Sequence, residues 1–254
     1  MRPELTPVSP GVLRVSWPRG LELEHAAALA EQVRAAAREV FGNGTTRLEA
    51  HVHPDDHAGQ RVATLSGLRK EGIARGAVGG QDRIVYALLA HDEPADQPTG
   101  FRAMLNALLP RKRAIGQMLV RDPDDRVLLC QLTYKRDFDL PGGVVEVGES
   151  PRLAVAREIE EELALRLEAG PLVLTDWLPP WGGWDDAVCL VFDGGVHDPA
   201  LLDGVVRQER EIRSAGFYSV AEAEGLCADF TVRRIRAALD SLRGSGSGYT
   251  ESGR

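Results

Sequence analysis

Three carboxylates stand close together at Glu158, Glu161 and Glu162. In an α-helix, positions i, i+3 and i+4 share one face. Three like charges on one face repel, so an exposed helix gains little from them unless a cation neutralises them. Hard divalent cations such as Mg²⁺ take oxygen ligands and bridge a few carboxylates to substrate phosphates. The residues before the helix, from Gly142 and Gly143 to Gly148 and Glu149, form a glycine-rich loop. Ser150-Pro151 then supplies a capping hydroxyl and a proline at the first helical position. The types and spacing in Gly142–Leu165 therefore describe a site for a divalent cation and a diphosphate.

Such a helix needs a sheet to lie on. Val155, Ile159 and Leu163 form an apolar stripe beside the carboxylates. Strands are predicted over Ala114–Arg121 and Arg126–Thr133, joined by a turn at Asp122–Asp125, and again over Leu172–Trp177, Ala187–Phe192 and Ile212–Tyr218. A last helix, Thr231–Leu242, carries Val232, Ile235, Leu239 and Leu242 on one side. The loop before Ala187, LPPWGGWDD, places Trp181 and Trp184 where they can stack on a ring or pack the loop against the sheet. Residues 244–254, GSGSGYTESGR, are low in complexity and are predicted to be disordered.

The first part of the chain reads as a separate small α/β unit over residues 1–92. Its order is a strand at 11–17, an alanine-rich helix over Leu23–Val40, a strand at Arg47–Val52, a helix through Arg61–Leu65, and strands at Ile73–Val78 and Arg83–Ala90. Residues 93–100 are polar, carry two prolines and read as a linker, so the second domain is placed at 101–243, opening with a short helix at Phe101–Leu109. His51 and His53 could share a strand face, yet no third ligand stands near them, so solvated histidines are expected.

Composition sets outer bounds. The 254 residues are 43% hydrophobic and 27% charged, ordinary for one or two globular domains. No apolar run approaches the ~20 residues that span a bilayer, and the first residues lack an apolar leader, so a cytoplasmic location and no membrane partner are expected. A formal charge of −8 argues against stable nucleic-acid binding. Cys130, Cys189 and Cys227 are odd in number and scattered, which points to reduced thiols.

Gly143, Glu149, Arg157, Glu158, Ile159, Glu161, Glu162 and Leu165 stand at the spacing of the Nudix box, which this stretch closely resembles. Ala164 departs from it, standing where the family has a glycine that supplies a left-handed helix end. The resemblance implies an α/β/α sandwich with a mixed sheet. It also implies Mg²⁺-dependent hydrolysis (Mn²⁺ being the alternative ion) of a nucleoside diphosphate derivative, an NTP or dNTP or an ADP-ribose-like compound. Carried over, it makes Glu158, Glu161 and Glu162 metal ligands, with a backbone carbonyl at Gly142 or Gly143 completing the shell. Arg157 would hold the carboxylates, backed by Glu149. Glu211, with Glu209 as neighbour, is the candidate general base, the alternative being a solvated loop charge. A Nudix module that senses nucleotides without hydrolysing them is the alternative function.

The first unit resembles the C-terminal half of a GNAT acetyltransferase over PDDHAGQRVATLSGLRKEGIARG and DRIVYALLAHD. Asp56, Gly59 and Leu68 replace typical family residues, while Gly67, Glu71, Gly72 and Arg75 are kept. Only Trp17-Pro18-Arg19-Gly20 stands where a pyrophosphate loop should precede the first helix. The expectation is a truncated, non-catalytic module, with acetyl-CoA-dependent transfer as the alternative. Its incomplete sheet leaves an edge to be covered by the second domain or a second subunit, which allows a homodimer.

Overall fold

The computed structural model describes residues 2–18 and 20–254. The chain divides into two compact units, Met1–Pro110 and Arg111–Arg254. In the first, β1 (Glu4–Ser9) and β2 (Val12–Ser16) precede α1 (Ala26–Gly42), β3 (Arg47–Val52) and α2 (His57–Leu65). There follow β4 (Arg69–Val78), β5 (Gln81–Leu89) and α3 (Pro98–Leu108). The strand order is β1-β2-β3-β5-β4. β2 and β3 are parallel, joined by α1, and every other pairing is antiparallel. Leu29, Val33 and Ala37 recur on one face of α1 and pack with Leu48, Ala50 and Val52, which alternate along β3.

Two expectations for this unit are corrected. Residues 93–100 are not a free linker, and residues 101–110 do not begin the second unit. Pro98 opens α3 at its first position, Gly100 sits so close to the turn before it that a Cβ would lie 2.1 Å from the Pro94 carbonyl oxygen, and Leu108 packs on the first core. The strand β1 is also additional. All six of its residues are exposed, so no alternation announces it, and it exists by pairing with β2.

The second unit runs β6 (Arg113–Arg121), β7 (Val127–Leu132), β8 (Phe138–Asp139), β9 (Gly142–Val144), α4 (Pro151–Leu163), β10 (Leu172–Leu178) and β11 (Ala187–Val196). Then come β12 (Ile212–Tyr218), α5 (Val220–Leu226), α6 (Asp229–Leu242) and β13 (Tyr249–Glu251). Its mixed sheet is ordered β12-β7-β6-β11-β10-β13, with β8 on β7 and β9 on β6. Period-two alternation divides the sheet between two helical layers. Met118, Val120, Leu128 and Cys130 pack with Val155, Ile159 and Leu163 of α4. Leu119, Val127 and Leu129 pack with Val232, Ile235 and Leu239 of α6. This is the expected sheet between helices.

The tail is a further correction. Tyr249–Glu251 is not disordered but pairs in parallel with β10. Glycine and serine carry no apolar signal, but Asp176, fully buried in β10, does bind the tail: its Oδ1 accepts from the Thr250 hydroxyl and the Gly253 amide, both at 2.8 Å.

At the end of α4, Ala164 takes the left-handed conformation with φ +56° and ψ +23°. The helix stops there. The freed carbonyls of Glu162 and Leu163 accept from the amides of Gln208 and Val206 at 2.9 and 3.0 Å. An L-residue with a Cβ pays about 1–2 kcal/mol in this region, which glycine avoids. Ala164→Gly is therefore expected to stabilise the second unit by about 1 kcal/mol, raising its melting temperature by ~2–4 °C in scanning calorimetry; an unchanged or lower value would mean that this strain is relieved elsewhere.

Candidate active site

The first two turns of α4 carry Arg157 into the middle of the acidic face, and its guanidinium organises that face. Nε and Nη2 donate to the two carboxylate oxygens of Glu149 at 2.9 and 3.0 Å. Nη1 donates to Glu158 and to Glu161, each at 2.9 Å. The bidentate contact is thus with Glu149, and Glu158 and Glu161 are each held by one hydrogen bond. Arg157 is itself held in the charged form, chiefly by Glu149.

Glu162 has a different partner. Its side chain is buried, and Oε2 accepts from the Gly142 amide at 3.3 Å. Burial, countered in part by that amide, pushes its pKa up to about 8. The nearby charges of Glu158 and Glu211 push in the same direction. Glu158 is also raised, by burial first, against the pull of Arg157. Among the described residues no three acidic, thiol or imidazole groups already converge as a metal cage. The donor set nevertheless suits a hard dication: a buried carboxylate with one weak amide partner, two further carboxylates on the same face, and excess negative charge. The charge of Glu211 acts on both Glu158 and Glu162.

Beside these carboxylates opens a cavity of about 360 Å³. Gly142, Gly143 and Glu162 line it, as do Trp181 and Trp184. The two tryptophans flank Gly182 and Gly183, whose φ values of +57° and +88° make the tight turn of a small hairpin, with Trp181 bridged to Trp184. Both remain more than half exposed, at 59% and 57%. Trp181 meets Phe230 edge to face, with centroids 5.4 Å apart, and the Arg113 guanidinium lies 4.7 Å over the Trp184 ring. Each ring therefore has a positioning contact, with most of its surface left free.

Several lining residues escape a reading of the sequence alone. Arg234, on α6, is 1% exposed. It donates to Asp176 at 2.8 Å and to Gln117 at 3.0 Å, and Gln117 donates to Asp139 at 2.9 Å. The available signal was the lone aspartate in LVLTDWL, because an acid in an apolar strand requires a buried partner.

In the first unit His51 and His53 have separate partners. His51 Nε2 lies 3.5 Å from Glu49, and His53 Nδ1 accepts from the Asp55 amide. Contrary to the expectation of solvated side chains, His51 is largely buried; that burial, with Arg14 nearby, lowers its pKa. Asp56 caps α2 by accepting from the Gly59 amide. Of the segment Trp17-Pro18-Arg19-Gly20, Arg19 lies outside the described residues. Cys130, Cys189 and Cys227 are buried free thiols, and no described helix is long and apolar enough to cross a membrane.

A MutT-like protein of Streptomyces ambofaciens is 37% identical over 59 residues, 23% of this chain and 38% of that protein. An uncharacterized Nudix hydrolase of Streptomyces coelicolor is 32% identical over 111 residues, 41% of this chain and 59% of that protein. The chain thus matches less than two thirds of the length of either relative. Among solved structures, the MutT protein from Methanosarcina mazei Go1 superposes with a TM-score of 0.44 at 22% identity, covering 55% of this chain and 99% of that one. Residues 110–238, just over half of the chain, match the NUDIX domain. On that match the chain belongs to the Nudix family.

Proposed function

We propose that the second unit is a Mg²⁺-dependent hydrolase that cleaves the diphosphate linkage of a nucleoside diphosphate derivative by attack of water at phosphorus. The observation that carries this reading is the junction of the α4 carboxylates with an aromatic-lined cavity through Gly142 and Gly143. A bound dication would supply charge neutralisation at the phosphates and a lowered pKa for water. Glu158, Glu161 and Glu162 would hold it, and Mn²⁺ fits the same oxygen donors. Arg157 fixes two of these carboxylates and is fixed by Glu149, so their geometry is set before substrate arrives. Glu211 is assigned to accept the proton of the attacking water, supported by its proximity to Glu158 and Glu162. Trp181 and Trp184 are assigned to the ring of the nucleoside. A nucleotide sensor without turnover is the competing reading, and the complete carboxylate set speaks against it.

For the first unit, the order β1-β2-β3-β5-β4 with helices between the strands supports the reading of a GNAT-like module. With no intact phosphate loop in the sequence, we assign it no transferase activity.

The two loop glycines separate fold from function. A Cβ on Gly142 would lie 2.1 Å from the Gly116 backbone oxygen. A Cβ on Gly143 would lie 2.3 Å from the Glu158 carboxyl carbon, the mobile end of a side chain. Gly142→Ala should therefore destabilise the unit by roughly 2–4 kcal/mol, as read by denaturant unfolding. Gly143→Ala should unfold within about 1 kcal/mol of wild type while binding Mn²⁺ at least ~10-fold more weakly by paramagnetic resonance. Equal Mn²⁺ affinity in Gly143→Ala would remove Glu158 from the metal site. Separately, Glu161→Gln should cut product release across a panel of NTPs, dNTPs, ADP-ribose and nucleotide sugars by at least ~100-fold, at unchanged circular dichroism. Wild-type rates in that variant would sink the hydrolase reading.

A further inference from the structure

Three aromatic rings with most of their surface free line the cavity of the second unit: Trp181, Trp184 and Tyr134. Tyr134 is 74% exposed, and among the described residues its ring meets no other aromatic ring. One exposed tyrosine on a turn is ordinary. What sets this one apart is its place in the sheet. β6 and β7 pair with each other only at Arg121 and Val127. Toward the cavity they part, with β8 on the free edge of β7 and β9 on the free edge of β6, since β12 and β11 take their other edges. Tyr134 stands in the turn from β7 to β8, and Trp181 and Trp184 stand in the hairpin from β10 to β11. Both turns lie at the same end of the sheet. Ala187, which opens β11, pairs with Arg113, which opens β6, and β7 runs against β6. Between the two turns stand β9, which carries Gly142 and Gly143, and then β6. From β8 to β11 there are three strand steps of ~4.8 Å, so the turns are roughly 15 Å apart. Stacked rings sit about 4.5–7 Å apart, so one base cannot lie against both. The charges of Lys135, Asp139, Glu162 and Glu211 all act on the Tyr134 hydroxyl, which sets it beside the carboxylates.

The cavity therefore has two ring platforms with the glycine loop between them. Resting on the reading of the second unit as a nucleotide hydrolase, we propose that its substrate is a dinucleotide, a diphosphate with a ring-bearing nucleoside at each end. One base stacks on the tryptophan hairpin and the other on Tyr134, and the diphosphate lies at Gly142 and Gly143. A sugar nucleotide, with one aromatic ring, leaves Tyr134 uncovered. Stacking on an aromatic side chain accepts any base, because every base has a π-face, so the site reads the number of rings and not their identity. In hydrolysis the oxygen of water bonds to one phosphorus and the bond from that phosphorus to the bridging oxygen breaks. The bridging oxygen leaves on the second nucleoside monophosphate, and a proton of the water goes to the base assigned above. Two mononucleotides result, each with one ring, and neither can occupy both platforms.

The test compares two ligands that differ by one ring. Diadenosine diphosphate is ADP-ribose with a second adenine on its terminal ribose. Analogues of both, with a methylene in place of the bridging oxygen so that the bond cannot break, are titrated into the full chain in Mg²⁺ and read by calorimetry. The two-ring analogue should bind at least ~10-fold more tightly, as one base on one aromatic side chain provides. Tyr134→Ala should bring the ratio to within about twofold. Tyr134→Phe keeps the ring and loses the hydroxyl, and should keep the wild-type ratio. Equal or weaker binding of the two-ring analogue by the wild-type chain, or no binding of either, overturns the proposal. So does an unchanged ratio in Tyr134→Ala, or a ratio lost in Tyr134→Phe, which would make the hydroxyl and not the ring the contact. The natural compounds, incubated with Mg²⁺, test the hydrolase reading separately. Ring-selective binding without hydrolysis would leave this proposal standing and defeat that reading; hydrolysis without ring selectivity would do the reverse.

Discussion

The second unit is organised by like-charge repulsion that the protein only half cancels. Glu158, Glu161 and Glu162 share the face of α4, with Glu211 close by. Arg157 neutralises the outer part, taking Glu149 with two hydrogen bonds and Glu158 and Glu161 with one each. The inner part, at Glu162, is left to a single backbone amide, and burial makes that carboxylate hard to ionise. Much of the local architecture serves to keep this arrangement. The glycines bring β9 against both β6 and Glu158, the left-handed Ala164 stops α4 just past Glu162, and the amides of Val206 and Gln208 secure its last carbonyls.

The opposite layer contains a buried charge that is balanced. Arg234 and Asp176 are both removed from water, an arrangement that stabilises little by itself and is costly when one partner is lost. Here the pair joins α6, β10 and the tail strand β13 at the cavity floor. The two charged groups therefore do different work. The acidic face of α4 is left with negative charge that its own side chains do not cancel, and the Arg234 network ties three elements together.

How much of this could be read in the sequence follows from the range of the signals. The carboxylate helix, its glycine loop and the strands flanking it carry their information locally, in spacing and alternation, and stand where the spacing puts them. Ala164 was marked as the one departure, and the left-handed end is kept at a cost in strain. Signals carried by distant pairing were not legible. The tail has no apolar residue pattern, because what holds it is a hydrogen bond to Asp176, 74 positions away in sequence. β1 is exposed on every residue and is ordered only by its neighbour. Residues 93–100 read as a linker because their contacts are made by glycine and backbone. Arg234 sits on the face of α6 that periodicity assigns to apolar side chains, and only its partner's position explains it.

The most direct measurement is the melting temperature of the second unit as Mg²⁺ is added, for the wild-type chain and for Glu162→Gln. A ligand that binds only the folded state at ~100 times its Kd adds about 2.7 kcal/mol, so the wild-type transition should rise by ~5 °C or more. Glu162→Gln, with no inner carboxylate to neutralise, should respond by less than about 1 °C. An equal rise in both chains, or none in the wild type, would contradict the claim that the acidic face of α4 is a divalent-cation site.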